Sequence, residues 1–171
     1  GATGNVTDVV QVVDSVGNVS TAGVAVTAAV TLSPLAPSTP PQGNVTFSAS
    51  GGSWTGYVWT LATNASGGTI ASDTGAYSAG PTGSVTDVVR VADSLGNLAT
   101  TTVTVTAAVS IAPASTSVGV GGSVQFTASG GSGSGYAWTL LTSASGGGIG
   151  GTTGTYTAGQ TAGGTDVVHV V

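Results

Sequence analysis

The sequence predicts an all-β protein made of tandem antiparallel β-sandwiches, with about seven strands in each 79-residue repeat. Three observations carry this prediction. β-Branched and aromatic residues fall in short runs that alternate between faces, as in "TTTVTVT" at 100–106. No stretch has the 3.6-residue periodicity of an amphipathic helix. The same phrase also recurs: "VTDVVQVVDSVGN" from Val6, "VTDVVRVADSLGN" from Val85 and "GTDVVHVV" from Gly164.

The period is regular. Asp8, Asp87 and Asp166 are equivalent and stand 79 residues apart each time. Sliding the chain by that distance aligns 1–92 with 80–171 at 52 identities without a gap. Phe47 then matches Phe126, Tyr57 matches Tyr136, Trp59 matches Trp138 and Tyr77 matches Tyr156. A fixed long period means an array of like units. A unit of this size can hold its own core, which favours beads on a string over a solenoid.

Each element follows from its own residues. "VTLSP" and "VSIAP" read as a first strand broken at Pro34 and Pro113. "NVTFSAS" and "SVQFTAS" put Val45, Phe47 and Ala49, or Val124, Phe126 and Ala128, on one face. "GYVWTLAT" and "GYAWTLLT" do the same for Tyr57, Trp59 and Leu61, and for Tyr136, Trp138 and Leu140. "GTIASDTGAYSAG" reads as one or two short strands about a Gly turn. "VTDVVRVAD" places Val89 and Val91 inward, with Val88 and Arg90 outward. "ATTTVTVTA" closes the unit, with Val103 and Val105 inward and Thr102, Thr104 and Thr106 outward. The predicted core is therefore Phe47, Tyr57, Trp59, Val89, Val91, Val103 and Val105, with Phe126, Tyr136 and Trp138 in the next copy. "DSVGN" and "DSLGN" are the turns into the last strand. Asp14 or Asp93 accepts turn N–H bonds there, and Gly17 or Gly96 supplies a positive φ. Units meet through "TAAV" at 27–30 and 106–109 with no Gly/Ser linker, which predicts a stiff rod.

Composition narrows the function. Hydrophobic residues make up 40 %, enough for a core, while the only formal charges are Arg90 and six Asp, for a net −5. One cation cannot neutralise a phosphate backbone or grip an anionic membrane, so nucleic-acid binding is excluded. No apolar run reaches the roughly 18 residues of a membrane span, so no membrane insertion is expected. Gly contributes 30 residues, and Ser and Thr together 50, but the ordered alternation argues against disorder. There is no Cys, Lys or Glu and one His, so no catalytic constellation and no cofactor is expected. His169 aligns with Gln11 and Arg90, outward positions that do not preserve a base.

The order "GGSVQFTASGGSGSGYAWTL…GGIGGTTGTYTAG…TDVVHVV", with "DSLGNLATTTVTV" closing a unit, resembles the bacterial immunoglobulin-like repeats of large surface proteins over essentially the whole chain. The resemblance implies a seven-stranded sandwich, secretion to the cell surface or beyond, and a role as stalk, fibre or adhesive array. "DTGAYSA" (73–79) also echoes the D-x-G-x-Y-x-C signature of antibody-type domains, with Ala79 in place of the Cys and Ala49 near its partner. Two strands rather than one follow it and the copy reads "TTGTYTA", so the bacterial alignment is preferred. A Tyr77 hydroxyl capping a local turn remains an open reading.

A few residues invite sharper readings. Asp14, Asn18 and a neighbouring unit could supply calcium oxygens, but calcium wants six to eight of them and the turn reading is simpler. Trp54 stands in "SGGSWTGY" where the copy has "SGGSGSGY", so it is expected at an exposed loop tip. It would stack on a sugar or a partner protein, such as a cell-surface glycan, or else pack on its own or a neighbouring unit. Asn5, Asn18, Asn44 and Asn64 lie in N-x-[ST] sequons and are glycosylation candidates, with exposed Thr rows as O-linked alternatives.

Two functions compete. One is a structural repeat of a long extracellular fibre, filament or stalk without catalysis, whose partners are further copies of itself. The other is an adhesin or carbohydrate-binding module working through Trp54. The frame of the repeats divides the chain into residues 1–28, the last two strands of a unit; 29–107, a complete unit; and 108–171, a unit lacking its final strand. Two expectations stay open: an excerpt of a longer repetitive polypeptide, or ends that complete each other head to tail, with residues 14–28 of one chain beside Val171 of another.

Overall fold

The computed structural model describes residues 4–171, and among them there is no helix. β1 (Val6–Val13) and β2 (Val19–Val26) form an antiparallel hairpin that is a sheet by itself, with Val6 opposite Val26 and Val13 opposite Val19. Its valines have little to pack on: Val9, Val10, Val12, Val13 and Val24 are all exposed.

The middle stretch contributes β3 (Thr31–Ser33), β4 (Ser38–Thr39), β5 (Asn44–Thr46), β6 (Ser48–Ser50), β7 (Val58–Thr63), β8 (Thr69–Ile70), β9 (Ala76–Ser78), β10 (Val85–Ala92) and β11 (Leu98–Val105). They assemble as a four-stranded sheet in the order β4-β11-β10-β7, a three-stranded sheet β5-β9-β8 and a pair β3-β6. β10 and β11 pair from Val85↔Val105 to Ala92↔Leu98, while β4 runs parallel to β11. The last stretch gives β12 (Ser110–Ala112), β13 (Ser123–Gln125), β14 (Thr127–Ser129), β15 (Trp138–Ser143), β16 (Gly148–Ile149), β17 (Thr155–Thr157) and β18 (Asp166–Val170). Its sheets are β13-β17-β16, β12-β14 and β15-β18.

One predicted strand is divided and one short segment, β4, lies outside the predicted strands, so the middle stretch has nine strand segments rather than about seven. "NVTFSAS" breaks at Phe47. Its N–H leaves the ladder for the Gly75 carbonyl at 3.0 Å, so β5 pairs with β9 and β6 with β3. One run of sequence thus serves two sheets. The first strand stops before Pro34, as its lack of an N–H requires, and the chain resumes as β4 on the four-stranded sheet.

Each stretch encloses its own core. In the middle, Val30, Leu32, Phe47, Trp59, Tyr77, Val89, Val91, Val103 and Val105 come from all three sheets and are buried together. Removing each such valine from water contributes roughly 1.5–3 kcal/mol. In the last stretch the core is Phe126, Trp138, Tyr156, Ala158 and Val170. Phe47 meets Trp59 at 6.0 Å and Tyr77 edge-on at 6.5 Å; Phe126 meets Trp138 at 6.5 Å and Tyr156 edge-on at 6.4 Å. Tyr57 and Tyr136, expected in the core, are only half-buried. Each lays its ring against the core while its hydroxyl donates to a loop carbonyl, Gly51 or Gly130, at 2.7 Å. Gly75 and Gly154 permit the aromatic packing: a Cβ at either would lie 2.9 Å from the Trp59 or Trp138 ring, and both have positive φ.

Candidate functional site

The hairpin turns bind their own backbone. Asp14 accepts from the Val16 and Asn18 N–H groups and from the Asn18 amide, at 2.6–3.0 Å, and Gly17 has φ 91°. Asp93 repeats this with Leu95 and Asn97 at 2.8–3.0 Å, and Gly96 has φ 83°. The Asn18 amide is the main cause that holds the Asp14 carboxyl below its ordinary value. At Asp93 burial pushes the carboxyl up, but the Asn97, Ser53 and Leu95 donors outweigh it and hold the group well below the carboxylate range. Its two oxygens are thus taken by four N–H donors, and no cluster of three or more His, Cys, Asp or Glu side chains exists among the described residues.

Asp93 does one thing Asp14 does not. It accepts from the Ser53 N–H at 2.7 Å, which fixes the loop at 51–56 against the hairpin turn. That loop in turn holds the "TAAV" junction: Gly52 N–H donates to the Ala28 carbonyl at 2.6 Å, and the Thr27 hydroxyl donates to the Gly52 carbonyl at 2.7 Å. The next junction repeats the contact, with Gly131 N–H on the Ala107 carbonyl at 2.7 Å.

A cluster that sequence reading missed lies between the sheets. The Asp87 carboxylate in β10 is fully buried. It accepts from the Tyr77 hydroxyl in β9 at 2.6 Å, the Ser66 hydroxyl at 2.5 Å and the Ser66 N–H at 2.8 Å. Burial pushes Asp87 up, but the Ser66 and Tyr77 donors together hold it below its ordinary value. Burial and the Asp87 hydrogen bond raise Tyr77 to about 12. The cluster ties the three-stranded sheet to the four-stranded one through a charge that pairs with no cation among the described residues. Asp166, Ser145 and Tyr156 copy it, with bonds of 2.6–2.8 Å. The open reading in which the Tyr77 hydroxyl caps a local turn is corrected: the hydroxyl donates to the Asp87 carboxylate, and it is the Ser66 hydroxyl oxygen that accepts from the Gly68 and Gly80 N–H groups. The available signal was spacing, since Ser, Tyr and Asp keep their separations in both copies. Spacing alone did not reveal burial.

The other singled-out side chains stay apart. Trp54 is 61 % exposed at its loop tip and has φ 63°, a left-handed conformation that the equivalent Gly133 adopts at φ 77°. Arg90 donates to the Thr60 hydroxyl at 3.1 Å, and His169 meets the equivalent Thr139 at 3.4 Å. Asn5, Asn18, Asn44 and Asn64 are all exposed. Three have occupied amides: Asn18 on Asp14, Asn44 accepting from Ser78, and Asn64 closing a turn onto Gly68 at 2.7 and 2.9 Å.

Beside β18 lies a cleft of about 580 Å³, walled by Ile111 and Val118, floored by Phe126 and Tyr156, and bounded by Asp166 and Val168. No known protein family matches the chain, and no curated protein matches it.

Proposed function

We propose that this chain is a run of tandem immunoglobulin-like β-sandwich repeats acting as structural material of an extracellular fibre, filament or surface stalk, without catalytic activity. The units are residues 29–107 and 108–171, with residues 1–28 as the end of a preceding unit. The observation that carries the reading is where the repeat is strict. Core aromatics, the buried Asp–Ser–Tyr cluster and the junction hydrogen bond recur at the same spacing. What changes is the outside: Gln11, Arg90 and His169, or Trp54 and Gly133. A repeat that keeps its interior and joints while its surface drifts is under demand for shape rather than chemistry. Electron microscopy of the native material tests this. Extended rods with a regular axial repeat are expected, and separate globular particles would overturn the reading.

One observation favours a second reading, an adhesin or glycan-binding module. A bulky exposed Trp54 holds a backbone conformation suited to Gly, and such strain is often kept for a contact. A glycan array comparing the chain with Trp54→Ala decides it: loss of a defined signal supports binding, and no signal in either leaves only the structural role.

A further inference from the structure

One strand of the middle stretch runs from joint to joint. β11 leaves the turn headed by Asp93 and continues directly into the junction at 106–109. The chain that enters the stretch at 27–30 is tied to β11 at both of its ends.

At the start of β11 the tie is a relay of hydrogen bonds. The Thr27 hydroxyl donates to the Gly52 carbonyl at 2.7 Å, and the Gly52 N–H donates to the Ala28 carbonyl at 2.6 Å. The neighbouring Ser53 N–H donates to Asp93 at 2.7 Å, and Asp93 closes the turn by accepting from the Asn97 N–H at 2.8 Å. Loop and turn are joined twice more, by the Ser94 N–H on the Thr55 carbonyl at 3.2 Å and the Ser94 hydroxyl on the Ser53 hydroxyl at 2.9 Å. Gly52 leaves room for this: a Cβ there would lie 2.2 Å from the Asp93 carboxylate.

At the end of β11 the tie is its parallel pairing with β4, Thr104 beside Ser38 and Val105 beside Thr39. The Thr104 N–H donates to the Pro37 carbonyl at 3.0 Å and the Thr106 N–H to the Thr39 carbonyl at 2.9 Å. Just ahead of β4, the Ala36 N–H donates to the buried Thr101 hydroxyl at 2.9 Å. Parallel neighbours point the same way along the unit, with evenly spaced bonds. A pull that draws β4 back towards 27–30 and β11 forward towards 106–109 slides the two strands past each other. Their bonds then bear the pull together, whereas a peeled edge loses them one at a time. β10 holds the other edge of β11 along its whole length, from Val85↔Val105 to Ala92↔Leu98.

We propose that β11 is the tension member of the unit: a pull on the array passes between the joints along this strand, held in shear by β4 at its end and by the Asp93 relay at its start. The aromatic core sets the shape of the unit and lies beside this path. The inference rests on the fibre reading above and names the part of the fold that would make a fibre of such units strong.

Force spectroscopy of the whole chain tests it. The chain has no Cys, so thiols appended at its two ends are the only attachment points. Release of residues 30–106 should lengthen the tether by roughly 230 Å, which marks the unfolding of the middle unit. Under constant tension, Thr101→Val removes the acceptor of the Ala36 N–H and Thr104→Pro removes the N–H on Pro37; each should raise the unfolding rate of that unit about tenfold. Thr27→Val, at an exposed position outside the core, should raise it about threefold. Val91→Ala is the control, because it hollows the core without touching either tie. In calorimetry it should lower the transition at least as far as Thr101→Val, yet under tension it should accelerate unfolding less. Rates under tension that simply follow the thermal losses, or a Thr101→Val chain that yields at the unmodified rate, overturn the tension path. The fibre reading survives that failure if the native material is rod-like in electron microscopy. Globular native material removes the fibre and leaves the measured resistance as a property of the fold.

Discussion

The middle and last stretches are near copies, yet one is sealed and the other is not. Val89 and Val91 are 0 % exposed, whereas Val168 is half-buried and Val170 is 8 % exposed. Phe47 and Tyr77 are 2 % and 1 % exposed; Phe126 and Tyr156 are 8 % and 7 %. The aromatic geometry is the same in both. Among the described residues what differs is one strand: β11 lies beside the first core, and β18 is paired with β15 alone. The last strand therefore seals a core whose shape the preceding strands have already set. The hairpin β1–β2 makes the same point from the other side: identical valines, paired in the same register, stay exposed when no body lies beneath them.

This difference can be broken experimentally, and calorimetry of the whole chain should show two transitions, one for each core. Asp87→Ala strips three donors of their buried acceptor and should lower the more stable transition by on the order of 3 kcal/mol. Asp166→Ala should act on the other transition and by less, because water reaches its cluster. Equal losses would mean that β11 does not shield the first cluster. Val103→Ala should cost about 2 kcal/mol through lost burial and the cavity left behind. Val24→Ala, its partner in the exposed hairpin, should leave both transitions of the isolated molecule unmoved.

The pH dependence sharpens the comparison. The folded pKa of Asp87 lies below the ordinary 3.8, so its contribution is complete above that value and is lost as pH falls beneath it. Tyr77 is raised from 10.0 to about 12, so its contribution is complete below pH 10 and is lost between there and pH 12. Denaturation midpoints followed from pH 7 to 2 and from 7 to 12 should fall at both ends. Tyr77→Phe should remove the alkaline limb of the first transition, and an unchanged alkaline limb would disprove the assignment. One expected effect has the opposite sign. Trp54→Gly relieves a left-handed tryptophan and should stabilise by about 1 kcal/mol, while Gly133→Trp should destabilise by a similar amount.

Much of the fold was legible because alternation and repetition reinforced each other. Phe47, Trp59, Val89, Val91, Val103 and Val105 read as inward from period two alone, and all are buried. "DSLGN" read as a turn because Asp, Gly and Asn each have one physical role there. The division of "NVTFSAS" was not legible, since a strand that passes from one sheet to another keeps its alternation throughout. Nor was the Asp87 cluster: a carboxylate at the start of a strand is ordinary, and only Tyr77 and Ser66 arriving from other elements make it a buried acceptor.

By itself the sequence determined the all-β class, the 79-residue period and which side of each strand faces inward, because these depend on local pattern and on comparison of the chain with itself. Only the tertiary structure decided which of two like valines is covered and which Asp is buried. Those outcomes depend on what distant segments bring to the same place, and no local pattern records it.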